Sequence, residues 1–566
     1  MRRFLAKLDS HQPDFEYQDR RWLFILYDQL TDQLGPLSRE TPESLGIILI
    51  ESAWKGGRRP YHKMKLAHIL ANQRHFALEQ ARRGVAVTYL AGPESYLEQL
   101  HTFLDEYQID QVRLAEPAER EMRVHLQPLV ESGRIEQVAN ESWLTTPEDF
   151  RKAVGKPPWR MDQFYRYIRK KTGILMTDDG GYAGGQLSHD HANRESWPGP
   201  PDAPAAPEWP GFEIDEIKRE VGHFIATRFA DHPGSLDMSQ VVASEAEARA
   251  FWDFAKKHCL VHFGPYEDAM SSRSRGLFHT RLSTLMHLGR ITPRRAIEDV
   301  RRMKLPLNSQ EGFIRQVIGW REFMNHVHRE TDGFRDLPDG SSPKKLNKPG
   351  DGGFQRWAGQ AFPTTHREGD PDGGAAPSAL GAAEPLPVAY WGTKSGLNCL
   401  DTIVSEVWAH GWTHHIPRLM VLGNLATLLD ISPRELTDWF WVAYIDAYDW
   451  VVEPNVLGMG SYGLGELFVT KPYVSGSNYI HKMSDYCSSC AFDPKKDCPI
   501  GRLYWAFLAR HEDQLRTNPR LGRIYASLDR RKPAEKAKDT KTYHLVQATL
   551  AKGNALAPDD SRLFSR

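Results

Sequence analysis

The chain has 566 residues, of which 40% are hydrophobic and 26% are charged, and its formal net charge is −1. No apolar run reaches the ~18 residues that a membrane span needs. The composition therefore excludes a membrane-spanning protein and favours several folded domains. The first 15 residues lack the apolar core of a signal peptide, so we expect a cytoplasmic protein whose cysteines are reduced.

The small net charge hides strongly basic segments. Segment 151–171 has eight basic residues and one acidic residue, 271–304 has nine and two, and 501–541 has 11 and five. By contrast, 94–150 has 13 acidic residues and four basic ones. Local fields of this kind attract phosphates whatever the total charge is. The alternatives are a nucleic-acid-binding surface and ordinary solvated helix faces.

Residues 18–145 are predicted to form an α/β domain of the doubly wound, Rossmann-like type. Short apolar runs at 21–27, 45–50, 85–90 and 111–114 are typical of buried parallel strands. Between them, a helix is predicted at 62–83, with its apolar residues on one face. Neither a G-x-G-x-x-G motif nor a Walker loop is present, so a glycine-rich phosphate cradle is not indicated.

The rest of the chain is predicted to be mostly helical. Residues 146–211 form an interdomain connector that is rich in Gly, Pro and Ser. Residues 212–550 form a large all-α domain, in which 336–387 is a Gly/Pro-rich surface insertion, partly disordered. Residues 551–566 are predicted to be a flexible tail.

Four of the five cysteines have the spacing of a metal centre. Cys487, Cys490 and Cys498 form a C-x2-C-x7-C-P run, and Cys399 is a distant fourth thiol. Thiolate sulfur suits a [4Fe–4S] cluster or a structural zinc. The proline after Cys498 and the lack of a second C-x2-C knuckle favour iron–sulfur, with buried unliganded cysteines as the remaining alternative. We expect Cys259 to be structural.

Four sequence blocks in the helical half carry candidate chemistry. The first packs hydroxyls and a guanidinium into one turn, a set that is able to hold a pyrophosphate. The blocks are FHTRLS at 278–283, FIRQVIGWREF at 313–323, WTHHIPRLM at 412–420 and IDAYDW at 445–450. In this order, behind an α/β domain, they resemble the photolyase and cryptochrome superfamily. The cysteines, with DQL at 28–30 and YHKMK at 61–65, are similar to its iron–sulfur branch, the bacterial (6-4) photolyases and related cryptochromes.

The resemblance implies a non-covalent FAD in the helical domain and a [4Fe–4S] cluster on Cys399, Cys487, Cys490 and Cys498. The residues that it assigns to FAD are Tyr266, Thr280, Arg281, Leu282, Ser283, Gln316, Arg321, Arg418, Asp446 and Tyr448. Among them, Arg418 would stabilise the reduced anionic flavin and Asp446 would fix the arginine.

The implied reaction is light-driven electron transfer from reduced FAD to a (6-4) pyrimidine–pyrimidone lesion in damaged DNA. The lesion must leave the base stack to approach the flavin. His415 matches the active-site histidine of the superfamily, where a protonated imidazole can donate a proton to the lesion, and His414 supports it. The alternatives are a blue-light cryptochrome without repair activity and a zinc-stapled DNA-binding protein.

Two tryptophans, Trp439 and Trp391, match residues that relay electrons to photo-oxidised flavin in this branch. Trp441 and Trp450 compete for that role. Phe440 stands where some relatives carry an oxidisable tyrosine, so a route through that residue is closed.

The resemblance also implies a 6,7-dimethyl-8-ribityllumazine antenna beside Asp28, Gln29 and Glu51 in the first domain. Near the flavin, one residue of register decides whether Val452 or Glu453 faces the cofactor. Damaged DNA is the expected partner of a monomeric protein that does not bind membranes.

Overall fold

The first domain of the protein is built on a parallel five-stranded sheet. The computed structural model describes residues 1–558. The strand order is β3-β2-β1-β4-β5, which confirms the predicted doubly wound sheet. The strands are β1 (Arg21–Phe24), β2 (Leu45–Ser52), β3 (Ala86–Gly92), β4 (Val112–Ala115) and β5 (Ile135–Val138). The sequence did not predict β5, because only Ile135 of this edge strand is fully buried.

The predicted helix at 62–83 extends over Lys63–Arg82 and joins the two domains. His62 caps it, since its Nδ1 accepts the Met64 N–H at 3.0 Å. Gln73 donates to the Ile50 carbonyl of β2 at 2.8 Å, and Lys65 donates to the Trp441 carbonyl of the helical domain at 3.0 Å. The helix is therefore hydrogen bonded to both domains.

The helical domain surrounds one large apolar core. Its longer helices are Pro147–Val154, Met161–Thr172, Glu216–Arg228, Glu245–His258, Pro293–Arg302, Leu307–Ile314, Glu322–Glu330, Asn398–His410, Pro433–Ala443, Pro499–Arg510, Gly522–Asp529 and Pro533–Ala551. In the first domain the helices besides Lys63–Arg82 are Arg2–Asp9, Pro36–Arg39, Ala53–Gly56, Tyr96–Glu106 and Arg120–Glu131.

The 336–387 insertion packs against both domains, which differs from the expected partly disordered surface segment. Asp370 pairs with Arg58 of the first domain at 2.9 Å, and Phe354 is buried in the helical core. Gly352 adopts a φ of +60°, and a Cβ there would lie 2.5 Å from the Trp439 Cα. Glycine therefore permits close packing here, and its abundance does not signal disorder.

The start of the predicted tail is also packed. Leu556 is buried, and its N–H donates to the Ser395 carbonyl at 2.8 Å. Residues 559–566 of that tail lie outside the described residues. Among the helices described for 1–558, none combines the length and the hydropathy that crossing a membrane requires.

Candidate cofactor and active site

A cavity of about 350 Å³ opens in the helical domain. Three π-helical turns, Arg315–Arg321, Pro417–Gly423 and Glu453–Gly460, contribute to its wall. Such turns recur at functional sites. Ten of the predicted residues line this cavity, namely Thr280, Arg281, Leu282, Ser283, Gln316, Arg321, His414, His415, Arg418 and Asp446.

The centre of the wall is an ion pair between Arg418 and Asp446. Both terminal nitrogens of Arg418 donate to the two carboxylate oxygens at 3.0 Å, and the Ser283 hydroxyl donates to the same group at 2.7 Å. Burial alone would raise the pKa of Asp446, but Arg418 and Ser283 hold it below its ordinary value. The pair is therefore ionised and presents a fixed guanidinium to the cavity.

Arg281 supplies a second cation that no carboxylate of the described chain neutralises through an ion pair. Its guanidinium lies between the rings of Trp209 and Trp412, at 5.0 and 5.3 Å. Desolvation, with the nearby Arg275, lowers the pKa of Arg281 to about 9. A cation held on aromatic faces beside the Thr280 and Ser283 hydroxyls is suited to bind an anion.

Three histidines meet at one side of the cavity. His279 stacks on His414 with ring centroids 4.2 Å apart, and His415 lies 5.3 Å from His279. His279 is tied to the Glu267 carbonyl at 3.0 Å, whereas the buried Nδ1 of His414 has no partner. His415 is 43% exposed, and its Nε2 is 3.9 Å from a carboxylate oxygen of Asp268. His415 is thus the histidine that a ligand can reach.

Gln316 and Arg321 line the cavity but are held by carboxylates. Gln316 donates to Glu267 at 2.7 Å, and Arg321 donates to Glu322 at 2.7 Å. Arg321 also lies 4.1 Å over the ring of Trp143. Both side chains are therefore positioned before any ligand binds.

Four of the residues that were predicted to bind FAD or to act in catalysis do not line this cavity. Tyr266 packs on the ring of Phe278, with centroids 5.4 Å apart, and Tyr448 lines a different cavity between the domains. Trp439 is completely buried behind the wall, and Trp391 lies farther out. Tyr266 and Tyr448 therefore do not contact the central cavity in this structure.

Of the two residues in doubt near the expected flavin, the apolar one borders the cavity. Val452 lines the cavity, whereas Glu453 turns away to Arg434 at 2.7 Å and His328 at 2.8 Å. Asn455 and Met459 line the same wall without having been predicted. No motif marks them, because the π-helical turn that exposes them depends on packing.

The three predicted antenna residues do not share one cavity. Glu51 borders a space of about 50 Å³ between the domains, and its carboxylate is bound by Arg74 at 2.8 and 2.9 Å. Gln29 lines a separate cavity of about 350 Å³, where its Nε2 donates to the Ala115 carbonyl. Asp28 is partly buried, and desolvation followed by the charge of Glu119 raises its pKa to about 8.

The four predicted metal-binding cysteines line one small cavity. Cys399 lies in the first turn of Asn398–His410 and Cys498 directly precedes Pro499–Arg510. Helix N-termini favour negative charge, so both positions suit thiolates. Burial, followed by the neighbouring sulfurs, raises the pKa of the Cys399 thiol well above its usual value. Cys259 lies elsewhere, as expected.

The four thiols are grouped around one cavity without close mutual contact. Among the described residues, the set of three candidate ligand atoms within 4.8 Å of one another is His279, His414 and His415, and no three of the cysteine sulfurs meet that distance.

Comparisons with known proteins identify relatives of this chain. The sequence pattern of the deoxyribodipyrimidine photo-lyase-related protein family matches residues 23–241. A (6-4) photolyase of Agrobacterium fabrum (strain C58) is 31% identical over 522 residues, which cover 89% of this chain and 94% of that protein. An uncharacterized protein of Acanthamoeba polyphaga mimivirus is 33% identical over 108 residues, 19% of this chain and 82% of that protein.

One solved structure shows the fold. The crystal structure of a bacterial class III photolyase from Agrobacterium tumefaciens matches with a TM-score of 0.51 and 16% identity, over 95% of this chain and 99% of that chain.

Proposed function

This chain belongs to the photolyase-related family of the photolyase and cryptochrome superfamily, and from its central cavity we propose that it repairs (6-4) pyrimidine–pyrimidone lesions in DNA with light. The observation that carries the proposal is His415, half-exposed in the same cavity as the fixed Arg418 guanidinium. The central cavity is therefore lined both by a candidate proton donor, His415, and by a fixed cation, Arg418.

The cavity residues fit FAD. The unneutralised guanidinium of Arg281, with Thr280 and Ser283, would hold the diphosphate. Arg418, oriented by Asp446, would lie at the flavin ring. When bound and reduced, FAD supplies the electron that light transfers to the lesion.

His415 would hold and donate the proton. In the ligand-free protein, desolvation of the ring at the cavity wall, followed by the guanidinium groups of Arg315 and Arg418, lowers the pKa of His415 below its ordinary value, so the neutral imidazole predominates at pH 7. A nearby anion favours the charged form of histidine and raises its pKa. The phosphates of bound DNA would therefore raise the pKa of His415, and the protonated fraction would fall as pH rises through that pKa.

His279 and His414 would position His415. Their stacked rings form the wall against which His415 packs. Burial lowers the pKa of His414 well below its ordinary value and that of His279 to about 3. Both rings stay neutral, so the proton resides on His415.

We further propose that the four cysteines around the small cavity, Cys399, Cys487, Cys490 and Cys498, hold a [4Fe–4S] cluster. Asn398 donates to the Tyr486 carbonyl at 2.8 Å and to the Ser489 hydroxyl at 3.1 Å, which ties the turn of Cys487 and Cys490 to the helix of Cys399. The cluster would therefore join chain segments that are distant in sequence.

The ribityllumazine antenna remains a prediction. Its three assigned residues, Asp28, Gln29 and Glu51, do not line one common cavity, and the Glu51 carboxylate already accepts hydrogen bonds from Arg74 and Tyr89. Damaged DNA is the proposed partner of a cytoplasmic monomer. Lys170 and Arg530 are exposed basic residues that are suited to phosphate contact.

Repair of defined duplexes tests the proposal. Reduced protein under blue light should convert a (6-4) lesion to the original pyrimidines and leave a cyclobutane dimer unchanged. Absence of repair under every light and reduction condition, with FAD bound, would instead support the cryptochrome alternative.

A further inference from the structure

Three histidine rings at one side of the central cavity are arranged like the ligands of a metal ion. One ring nitrogen from each of His279, His414 and His415 lies within 4.8 Å of the other two. The rings of His279 and His414 are nearly parallel, with planes 19° apart, whereas the His415 ring stands at 66° and 72° to them. Imidazole nitrogens suit zinc, copper, iron and nickel ions. The group is therefore a candidate site for one such ion.

The hydrogen bonds of the two buried rings leave nitrogen lone pairs free. The Nε2 atom of His279 lies 3.0 Å from the Glu267 carbonyl, and because a carbonyl only accepts, this nitrogen carries the hydrogen. In the neutral ring, the lone pair is then on Nδ1 of His279. The buried Nδ1 of His414 has no hydrogen-bond partner among residues 1–558. An unpaired buried polar atom is costly, so a ligand that completes it is favoured.

His415 gives an ion access to the buried pair. His279 and His414 are 8% and 4% exposed, whereas the His415 side chain is 43% exposed. In a tetrahedral site with Zn–N bonds of about 2.0–2.1 Å, the ligand nitrogens are about 3.3–3.4 Å apart. The three nitrogens must therefore approach one another by at most about 1.5 Å. Rotation of the exposed His415 side chain can supply that change.

The charges around the three rings favour a cation. A carboxylate oxygen of Asp268 lies 3.9 Å from Nε2 of His415. The positive charge of Arg418 is paired with Asp446. Arg315 is 3.2–3.5 Å from carboxylate oxygens of three acidic residues, namely Asp190, Glu267 and Glu311. These two guanidinium groups are thus already neutralised by ion pairs, and Asp268 attracts a cation to His415.

We propose that His279, His414 and His415 bind one divalent transition-metal ion of the zinc type, with water at the fourth tetrahedral position. Three imidazoles with an open fourth position form a known class of zinc site. Mg²⁺ prefers oxygen ligands and does not select three imidazoles. The metal site goes beyond the proposed function and does not depend on it.

The consequence for repair does rest on the proposed function. A nitrogen lone pair of His415 that is bound to a metal cannot bind a proton at the same time. Zinc and the imidazolium form of His415 therefore exclude each other. Zinc should thus inhibit (6-4) repair by occupying the proposed proton donor, and a chelator should reverse the inhibition.

Zinc binding is tested without DNA or light. Zinc chloride is dialysed to equilibrium against protein that carries FAD, its native metal content and no polyhistidine tag. Compared with wild type, His414→Ala should bind one zinc ion per chain at least ~100-fold more weakly, since even the loss of an outer-sphere partner costs ~10–100-fold. The matched control is His101→Ala, which removes an exposed imidazole of the first domain and should bind like wild type. Because His414 is buried, zinc on surface histidines would not respond to its loss.

Cobalt(II) identifies the type of ligand. Difference spectra of wild type should show the visible bands of tetrahedral cobalt without a thiolate charge-transfer band, and His414→Ala should lose these bands. If His414→Ala does not fold, His415→Ala replaces it, because the exposed side chain of His415 can be removed without opening the core. Circular dichroism and flavin content check the fold of each variant.

The outcomes separate the metal site from the repair proposal. Equal zinc affinity in wild type, His414→Ala and His415→Ala would overturn the site, whatever the repair assay shows. Full (6-4) repair by zinc-saturated wild type would overturn the inhibition. Zinc binding that is lost in both variants, by a wild-type protein that repairs nothing, would support the site and contradict the proposed function alone.

Discussion

The charged groups that line the central cavity are paired differently from those in the space between the two domains. In the central cavity, no carboxylate of residues 1–558 forms an ion pair with Arg281, and the His415 side chain is 43% exposed. In the interdomain space, the Lys55 ammonium lies 3.1 Å from the Glu119 carboxylate, and Arg74 forms an ion pair with Glu51. Beside its Arg418–Asp446 pair, the central cavity therefore has groups that are open to a ligand, whereas these interdomain charges pair with one another.

The difference has an energetic basis. Unpaired buried polar groups are costly, so a protein retains them where a ligand completes them. Paired buried charges are satisfied within the chain, and removing one partner leaves the other stranded. The same type of residue therefore serves binding in one region and stability in the other.

The largest effect is expected at the cysteines, where the ligand itself supplies stability. Cys399→Ser should lose the cluster, the brown colour and most of the soluble folded protein, because metal binding energy is folding energy in such sites. Iron and sulfide analysis should give about four of each per wild-type chain. Cys259→Ser is the control and should retain both. Stoichiometric zinc without iron would contradict the assignment.

Arg74→Ala tests the space between the two domains. It leaves the buried Glu51 carboxylate without its charged partner, so the free energy of unfolding, measured by chemical denaturation, should fall by about 3–5 kcal/mol. The flavin content should not change. Arg82→Ala, exposed on the same helix, is the control. Loss of flavin in Arg74→Ala would erase the distinction between the regions.

Arg418→Ala tests the central cavity, which we propose binds the flavin. It removes the guanidinium and leaves the buried Asp446 with only the Ser283 hydroxyl. We expect at least ~100-fold weaker flavin binding, about 3 kcal/mol. Arg418→Lys keeps the charge without the two-pronged geometry and should lie between. Visible absorbance after gel filtration reports the bound flavin, and full retention by Arg418→Ala would refute its role.

The smallest effect is expected at the protein surface. Lys170 is exposed, whereas its neighbour Lys171 contacts the Asp149 carboxylate at 2.5 Å. Lys170→Glu should weaken binding to lesion-containing DNA and lower the slope of log affinity against log salt by about 1. Lys171→Glu should change the slope less. Equal slopes for wild type and Lys170→Glu would place the DNA elsewhere.

Local patterns account for what the sequence could predict. Apolar runs predicted four strands, and the family resemblance, carried by contiguous blocks such as 278–283 and 412–420, predicted residues that line the cavity. The packing of the 336–387 insertion could not be predicted from the sequence, because the ion pair between its Asp370 and Arg58 joins segments that are distant in the chain.

Repair by wild type and His415→Ala, measured side by side, tests the central claim most directly. Loss of the proton donor should lower (6-4) repair by at least ~100-fold while FAD and DNA binding persist. His415→Asn should behave likewise, and the exposed His101→Ala on the first domain should repair normally. Equal repair by wild type and His415→Ala would contradict the account.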